Sequence, residues 1–549
     1  MKKLTRSEFL KIAAAFSAGA VVSPIRSFAR PGGALASDFD VIILGAGLAG
    51  LTAARDLVNA GVSNVLVLEA NNRVGGRTLN QFNAGCYPGE GGGQWIAPTQ
   101  YNIQALMLEL GIGQFPTYSE GIGVGVDLDF NASNQAAYDA AVGWIESMAS
   151  ELDLSAPWNH PSASEWDSIS LMEWMDEQFN FMQLNAYLTW AAQITGIVGN
   201  PADMSLFYFV FYVASAGSWQ ALDVDAQTLR ISGGSHTIST TLAESLGAVV
   251  ELNAPVSSVN DNGLEVTVNH PGGPSTCKKL IVAMSPADCG NINFEAGLSS
   301  TRVALNQGWN MSTGGVKYNI VYATPFWRDA GFNGQISSED IFFSMDNSPE
   351  DASCGILVVF PGPSLTAPPT TQGREAATLN AIEAALGANA QENIDFVEKI
   401  WDDESHISGC TSPVQPGILS QYGQALRAPH GNIHFAGTET SEVWTGYMDG
   451  AVRSGHRVAQ EVTGLLSVTE FEPGSFQVFP NPVTDALRVK GTEGSSFSAQ
   501  VCDMQGKSEM GSRDLRVGER LDVSGLSPGI HLLLIEFEGR VVRKAFVKK

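Results

Sequence analysis

Three glycines and an acid open the chemistry of this chain. Gly45-Ala46-Gly47-Leu48-Ala49-Gly50 follows directly on the apolar run Phe39 to Leu44 and leads into a helical stretch through Ala60. A second strand-like run, Asn64 to Leu68, ends at Glu69-Ala70. In that context the spacing is a dinucleotide fingerprint. Gly45 makes the tight turn, Gly47 lets backbone approach a pyrophosphate, and Gly50 packs helix on strand. The free N–H groups of the helix N-terminus face the phosphates. Glu69 stands 19 residues beyond Gly50, where a carboxylate holds ribose hydroxyls. Arg73-Val74-Gly75-Gly76-Arg77-Thr78 comes next. Its glycines permit close backbone contact, and Arg77 can neutralise a diphosphate. A nicotinamide dehydrogenase has no such second segment.

That segment resembles the amine oxidase superfamily of flavoproteins, and further stretches are similar to flavin monoamine oxidases. Gly92-Gly93-Gln94-Trp95-Ile96-Ala97-Pro98-Thr99-Gln100 resembles the stretch lining the flavin. Pro255-Val256, after the expected strand Ala248 to Leu252, resembles the adenine-contacting turn. Gly314-Gly315-Val316-Lys317, followed by Pro325-Phe326-Trp327-Arg328, resembles the segment bearing the family's active-site lysine. Ile433 to Thr440 and Trp444-Thr445-Gly446-Tyr447-Met448-Asp449-Gly450 resemble its C-terminal flavin motif. The resemblance runs in order from about residue 38 to 465.

The resemblance implies an α/β fold: a Rossmann-like FAD-binding domain assembled from separated segments, an inserted α+β substrate domain, and the isoalloxazine ring between them. It implies FAD contacts at Gly45, Ala46, Gly47, Gly50, Glu69, Ala70, Arg77, Gly93, Gln94, Trp95, Val256, Gly437, Thr438, Glu439, Gly446, Tyr447 and Met448. Lys317 is expected to hold a water against flavin N5 and to assist the reaction with oxygen. It lies in an apolar run, and a buried lysine needs a partner or a lowered pKa. Tyr447 is expected to wall an aromatic slot for the amine, and Phe360, ending the strand Gly355 to Phe360, to line the substrate cavity. Gly409-Cys410 matches the covalent attachment point of the mitochondrial members, but Thr411 replaces their tyrosine. Cys410 is thus a cofactor contact with the covalent bond left open, and Thr411 stands where a second aromatic wall is expected.

The implied chemistry is oxidation of an amine to an imine, then aldehyde and ammonia, with O2 reduced to hydrogen peroxide. The amine must react neutral, so the site is expected to be apolar. An L-amino acid oxidase places an arginine after the Gly-Gly pair; Gln94 and Trp95 stand there instead. A polyamine oxidase suits the acidic surface. A non-catalytic flavin-fold surface protein is disfavoured by Lys317 and Gly446-Tyr447-Met448. No metal-ligand cluster suggests itself among the eight histidines.

The elements positioning these groups need a large chain, and 549 residues suffice for about three or four domain-sized units. Residues 1–36 read as an export signal: a basic start, a short apolar stretch Ile12 to Val22, then small-residue cleavage sites. Thr5 to Lys11 resembles the twin-arginine motif with Ser7 in place of the second arginine. Residues 37–467 hold the oxidase motifs. Residues 471–549 show short alternating runs between Gly, Pro, Asn and Asp, the pattern of a small all-β sandwich. Phe479-Pro480-Asn481-Pro482, Leu526-Ser527-Pro528-Gly529 and the terminal Lys548-Lys549 together resemble the C-terminal sorting domain of type IX secretion, which implies that secretion machinery is a partner and that the protein is secreted or held at the cell surface. The net charge of −26 is concentrated in residues 31–470, with 14 bases against 46 acids, and argues against nucleic acid. Six cysteines are too few for a disulfide scaffold. Neither the leader's apolar stretch nor any other run is long enough to span a membrane; Met204 to Ala216 reads as a core helix.

Overall fold

The computed structural model describes residues 37–84, 86, 88–125, 131–464, 477–480, 483–490, 496–502, 508–527, 529–537 and 540–548. The leader expected over 1–36 and the junction between 467 and 471 lie outside the described residues. So do Asn481, Pro482, Pro528 and Lys549 of the tail signatures.

The β-branched run Phe39–Leu44 is buried from Val41 onward, as a central parallel strand must be. It pairs in parallel with Val65–Leu68 on one side and with Gly273–Ala283 on the other. Ile433–Ala436 joins Gly273–Ala283, also in parallel. Ser258–Asp261 and Val266–His270 continue the sheet as antiparallel strands. Parallel pairing brings the strand ends together: Gly45 follows Leu44, Glu69 follows Leu68, and Gly437 follows Ala436. An α/β sheet receives ligands at that edge. The helices Leu48–Asn59 and Met448–Thr463 pack closely, because a Cβ on Gly455 would lie 2.5 Å from the Ala49 carbonyl oxygen. The strand expected over Ala248 to Leu252 is shorter. Gly247–Val249 forms a 3-10 turn and only Val250–Glu251 pairs, at the sheet edge, with Val67 and Leu68.

The second sheet is antiparallel, in the order Ile341–Asp346, Gly355–Pro361, Val316–Tyr322, Asn393–Ile400. Helices accompany it, among them Leu206–Ala216, whose residues from Leu206 to Val213 are all buried in an aromatic-rich core. It is the core helix expected there, started by the Ser205 hydroxyl, which accepts from Tyr208 N–H.

The described residues between 477 and 548 form a three-stranded and a four-stranded antiparallel sheet around their own apolar cluster, including Leu487, Val501, Leu533 and Phe546. Alternating burial along Ala486–Lys490 is the half-buried pattern of a sandwich strand. Among the described residues no helix is long and apolar enough to cross a membrane.

Candidate active site

The fingerprint glycines divide by what surrounds them. Gly45 has φ +100° and a Cβ there would lie 2.8 Å from the Ala283 carbonyl oxygen; one on Gly50 would lie 2.0 Å from that of Gly45. These two are fixed by the fold. A Cβ on Gly47 would meet nothing within 4 Å. Gly47 is also the N-cap of Leu48–Asn59, which has no side-chain cap and no acid in its first turn. The second glycine motif docks on the first: Gly75 N–H donates to the Ala46 carbonyl at 2.8 Å, and Gly47 bridges Gly75. Glu69 is buried and already engaged. It accepts from Ala46 N–H at 2.8 Å through one oxygen and from Asn71 N–H at 2.9 Å through the other. A carboxylate has about four acceptor sites, so it retains capacity for a hydroxyl. Ala254 N–H donates to the Glu69 carbonyl and Asn253 N–H to that of Asn71, which brings the chain leading into Pro255-Val256 alongside Glu69-Ala70-Asn71.

Arg77 joins distant segments. One guanidinium nitrogen lies 2.7 Å from the buried Glu439 carboxylate, and another donates to the Cys410 carbonyl at 3.0 Å. The C-terminal motif is held likewise. Gly437 has φ +115° and its N–H donates to the Ser454 hydroxyl, while the Thr438 hydroxyl donates to the Tyr447 carbonyl at 2.6 Å. Asp449 accepts from Asn102 N–H and Ile103 N–H, which ties the segment after Trp95 to the helix that Tyr447 and Met448 begin. Gly446, at φ +82°, lets the backbone pass the Tyr212 hydroxyl, since a Cβ there would lie 2.8 Å from that oxygen.

Lys317 points into a buried polar cluster. Its ammonium donates to the Gly92 carbonyl at 2.6 Å and to the Gln94 amide oxygen. It also lies 5.3 Å from the Trp95 ring centroid and 5.4 Å from that of Phe360, within cation–π range. Burial pushes Lys317 down to about 8, against the opposing pull of Glu90. Gln94 donates to Asn347 Oδ1 at 2.9 Å, Asn347 to Asn319 Oδ1 at 3.1 Å, and Asn319 to the Glu90 carbonyl at 3.3 Å. Glu90 pairs with Arg230 at 3.2 Å, and both are buried.

One aromatic group lies beside this cluster, and a second lies within electrostatic reach of Cys410. Trp95 stacks on Phe360 at 6.3 Å, and Phe343, opposite Phe360 across the strand pair, lies 6.0 Å from it. Tyr447 lies 6.0 Å from Tyr212, whose side chain is hydrogen-bonded to it; burial raises both hydroxyls above the usual tyrosine range. Cys410 is a free, exposed thiol within electrostatic reach of Lys317, Arg77 and Tyr212. Thr411 is turned to other work. Its hydroxyl donates to the Val198 carbonyl at 2.5 Å and lies 2.8 Å from that of Ser312.

The structure thus gathers Lys317, Trp95, Gln94, Phe360 and Gly93 at one place, with Tyr447 and Cys410 on other segments that Arg77 and Glu439 bind together. Sequence reading missed Tyr212, Phe343, Glu90, Asn319 and Asn347. The available signal was polarity in apolar runs, as in Lys317-Tyr318-Asn319-Ile320, because a buried amide must find partners. It also missed the disulfide Cys86–Cys354, which ties the segment before Glu90 to the start of Gly355–Pro361.

These residues fit a dinucleotide cofactor. The uncapped helix N-terminus at Gly47 and the open approach at Gly93 suit phosphate and ring contact, and Trp95 Nε1 is buried with no hydrogen-bond partner among the described residues. Residues 48–463 match the family described as flavin containing amine oxidoreductase, and residues 477–549 match the secretion system C-terminal sorting domain. Flavin-containing amine oxidase A of Equus caballus is 32% identical over 458 residues, 78% of this chain and 85% of that protein. Putrescine oxidase, solved with putrescine bound, aligns with a TM-score of 0.72 at 31% identity, covering 78% of this chain and 99% of the other. Cyclohexylamine oxidase from Brevibacterium oxydans gives 0.72 at 29% identity, covering 78% and 100%. The chain belongs to the flavin-containing amine oxidoreductase family and ends in a sorting domain of the secretion type. It is an amine oxidase, and its cofactor is FAD.

Proposed function

We propose that this enzyme oxidises a primary amine with an apolar tail to the imine, which hydrolyses to an aldehyde and ammonia while O2 is reduced to hydrogen peroxide, and that it works outside the cytoplasm. The observation that carries the reading is the meeting of the Lys317 ammonium with the Trp95 and Phe360 rings, beside Cys410. Gly45 to Gly50, Glu69, Ala70 and Val256 would hold the adenosine and phosphate end of FAD. Gly93, Gln94, Trp95, Arg77, Cys410, Gly437 to Glu439 and Gly446 to Met448 would hold the flavin end. When bound, FAD supplies the acceptor for the hydride equivalent and the reductant for oxygen.

The chain's own residues do the rest. Tyr447 and Tyr212 present aromatic surface to guide the amine, and Phe360 with Phe343 forms an apolar wall. Such walls exclude water and favour the neutral amine that must react. Lys317 keeps a cation, or a water bound to it, where negative charge develops on oxygen. Thr411 steadies its loop through Val198 and Ser312 rather than supplying a wall.

A second reading, oxidation of a diamine or polyamine, is favoured by the likeness to putrescine oxidase and by the acidic charge of the chain. A panel of benzylamine, butylamine, putrescine and spermidine, with peroxide and aldehyde measured together, separates the two. The first reading expects the monoamines to have the higher kcat/KM. Peroxide from none of them refutes both.

Export is supported by the sorting-domain match and by the Cys86–Cys354 disulfide, since such bonds persist in oxidising compartments. On this reading residues 37–467 are the catalytic unit and 471–549 the address engaged by the secretion machinery.

A further inference from the structure

We propose that Asn347 is a positioning residue for Lys317: by accepting from Gln94 it turns the Gln94 amide oxygen onto the lysine and so fixes where that cation sits beside Trp95 and Phe360. The inference rests on the reading that Lys317 acts at the flavin.

The argument begins with direction. From Lys317 three side-chain amides run head to tail, Gln94 to Asn347 to Asn319, and end on the Glu90 carbonyl. An ammonium only donates and a carbonyl only accepts. With both ends of fixed polarity, the three amides between them have one self-consistent orientation, every oxygen toward the lysine and every N–H away from it. Turning any one of them sets donor against donor or acceptor against acceptor. All three are buried, so such a mismatch cannot be relieved by solvent. Asn347 is the middle link and does not itself touch the lysine.

The consequence lies in what Lys317 has left to offer. Gly92 and Gln94 provide two acceptors. As an ammonium, Lys317 keeps a third N–H; as a neutral amine, it has both N–H groups used and presents a lone pair instead. Other charges around it are spoken for. Glu90 and Arg230 pair with each other. Lys399, directly across the strand pair, is bound to Glu404. Asp346 is held by Arg328 and Trp327. Arg77 is held by Glu439, and Cys410 is the other side chain within electrostatic reach. The Gln94 oxygen is therefore a principal neutral stabiliser of the charged lysine, and Asn347 keeps it in place.

The test follows the visible flavin spectrum of the FAD-loaded full chain across the alkaline range. The wild type is expected to show a transition that Lys317→Met lacks. Asn347→Leu should move its midpoint down by about one pH unit, the size of a weakened hydrogen bond to a charged group. Asn347→Asp keeps the acceptor toward Gln94, gives up the donor to Asn319 and, as a carboxylate, adds a negative charge near the lysine, so it should move the midpoint up. A midpoint unchanged in Asn347→Leu overturns the assignment of Asn347 alone. A transition that survives in Lys317→Met, or is absent from the wild type, overturns the placement of Lys317 at the flavin as well. If Asn347→Leu fails to bind FAD, the isosteric Asn347→Asp decides by the direction of its shift, and a midpoint that stays or falls refutes the proposal.

Discussion

Tyr212 and Tyr447 lie with ring centroids 6.0 Å apart and planes tilted by 43°, although one comes from the interior of a buried helix and the other caps the N-terminus of a distant one. Thr411, at the place expected to hold a second aromatic wall, is bonded to backbone instead. Tyr212 is thus one of two rings beside Tyr447, the other being Trp444, which meets it edge-on at 4.9 Å. We expect Tyr212→Leu to lower kcat/KM for amines about tenfold, the effect of misplacing a substrate-orienting surface, with FAD content unchanged. Tyr212→Phe keeps the ring and should stay within about twofold of wild type. Steady-state kinetics with peroxide detection reads both. Equal losses in the two variants would assign the effect to the hydroxyl.

Cys410 has an exposed thiol, while its carbonyl is pinned by Arg77. If Cys410 stands at the flavin end of the site as proposed, its free thiol on a fixed turn can form a thioether, so we expect flavin to remain with the acid-precipitated protein and to be released in Cys410→Ala. Yellow colour in the wild-type supernatant rules the bond out.

What the sequence revealed depended on chain locality. Gly45, Gly47, Gly50 and Glu69 were legible because one strand–helix–strand unit contains them. Lys317, Tyr447 and Cys410 were legible because each stands within a local motif. Asn347 was not, since its role arises only where the end of one strand meets Gln94, 253 residues earlier. Tyr212 was hidden by its helix, which is apolar or aromatic on nearly every side and so reads as core. Glu69 was placed correctly at the strand end, but its bonds to Ala46 and Asn71 depend on how the turn closes. Cysteine counts could not reveal a pairing across 268 residues.

That disulfide closes a long loop and anchors the segment leading to Glu90 against the strand that carries Phe360. A paired Cys86→Ser, Cys354→Ser variant is expected to lose roughly 2–5 kcal/mol of stability. Thermal melting should show a clear drop in Tm, and reductant should lower the wild-type Tm but leave that of the variant unchanged. Identical Tm values would show that the bond does not form in the folded enzyme.

The burial of Lys317 makes stability depend on pH in a direction opposite to that of a carboxylate raised by burial, such as Asp223. In the fold its pKa falls to about 8, against 10.5 when exposed. Between those values the unfolded chain holds the proton and the folded chain releases it, so stability rises with pH across that window. Below about 8 both states hold the proton, and the cost of the buried cation is present in full. The span corresponds to roughly 3 kcal/mol, at about 1.4 kcal/mol per pH unit. Lys317→Met has no proton to exchange and serves as the reference, because every other titrating group is common to both proteins. We expect the Tm of the wild type, relative to that of Lys317→Met, to be flat below pH about 8 and to climb steadily above it. A difference that stays constant through the alkaline range would mean that Lys317 titrates as an exposed lysine does, and its burial beside Trp95 and Phe360 would be refuted.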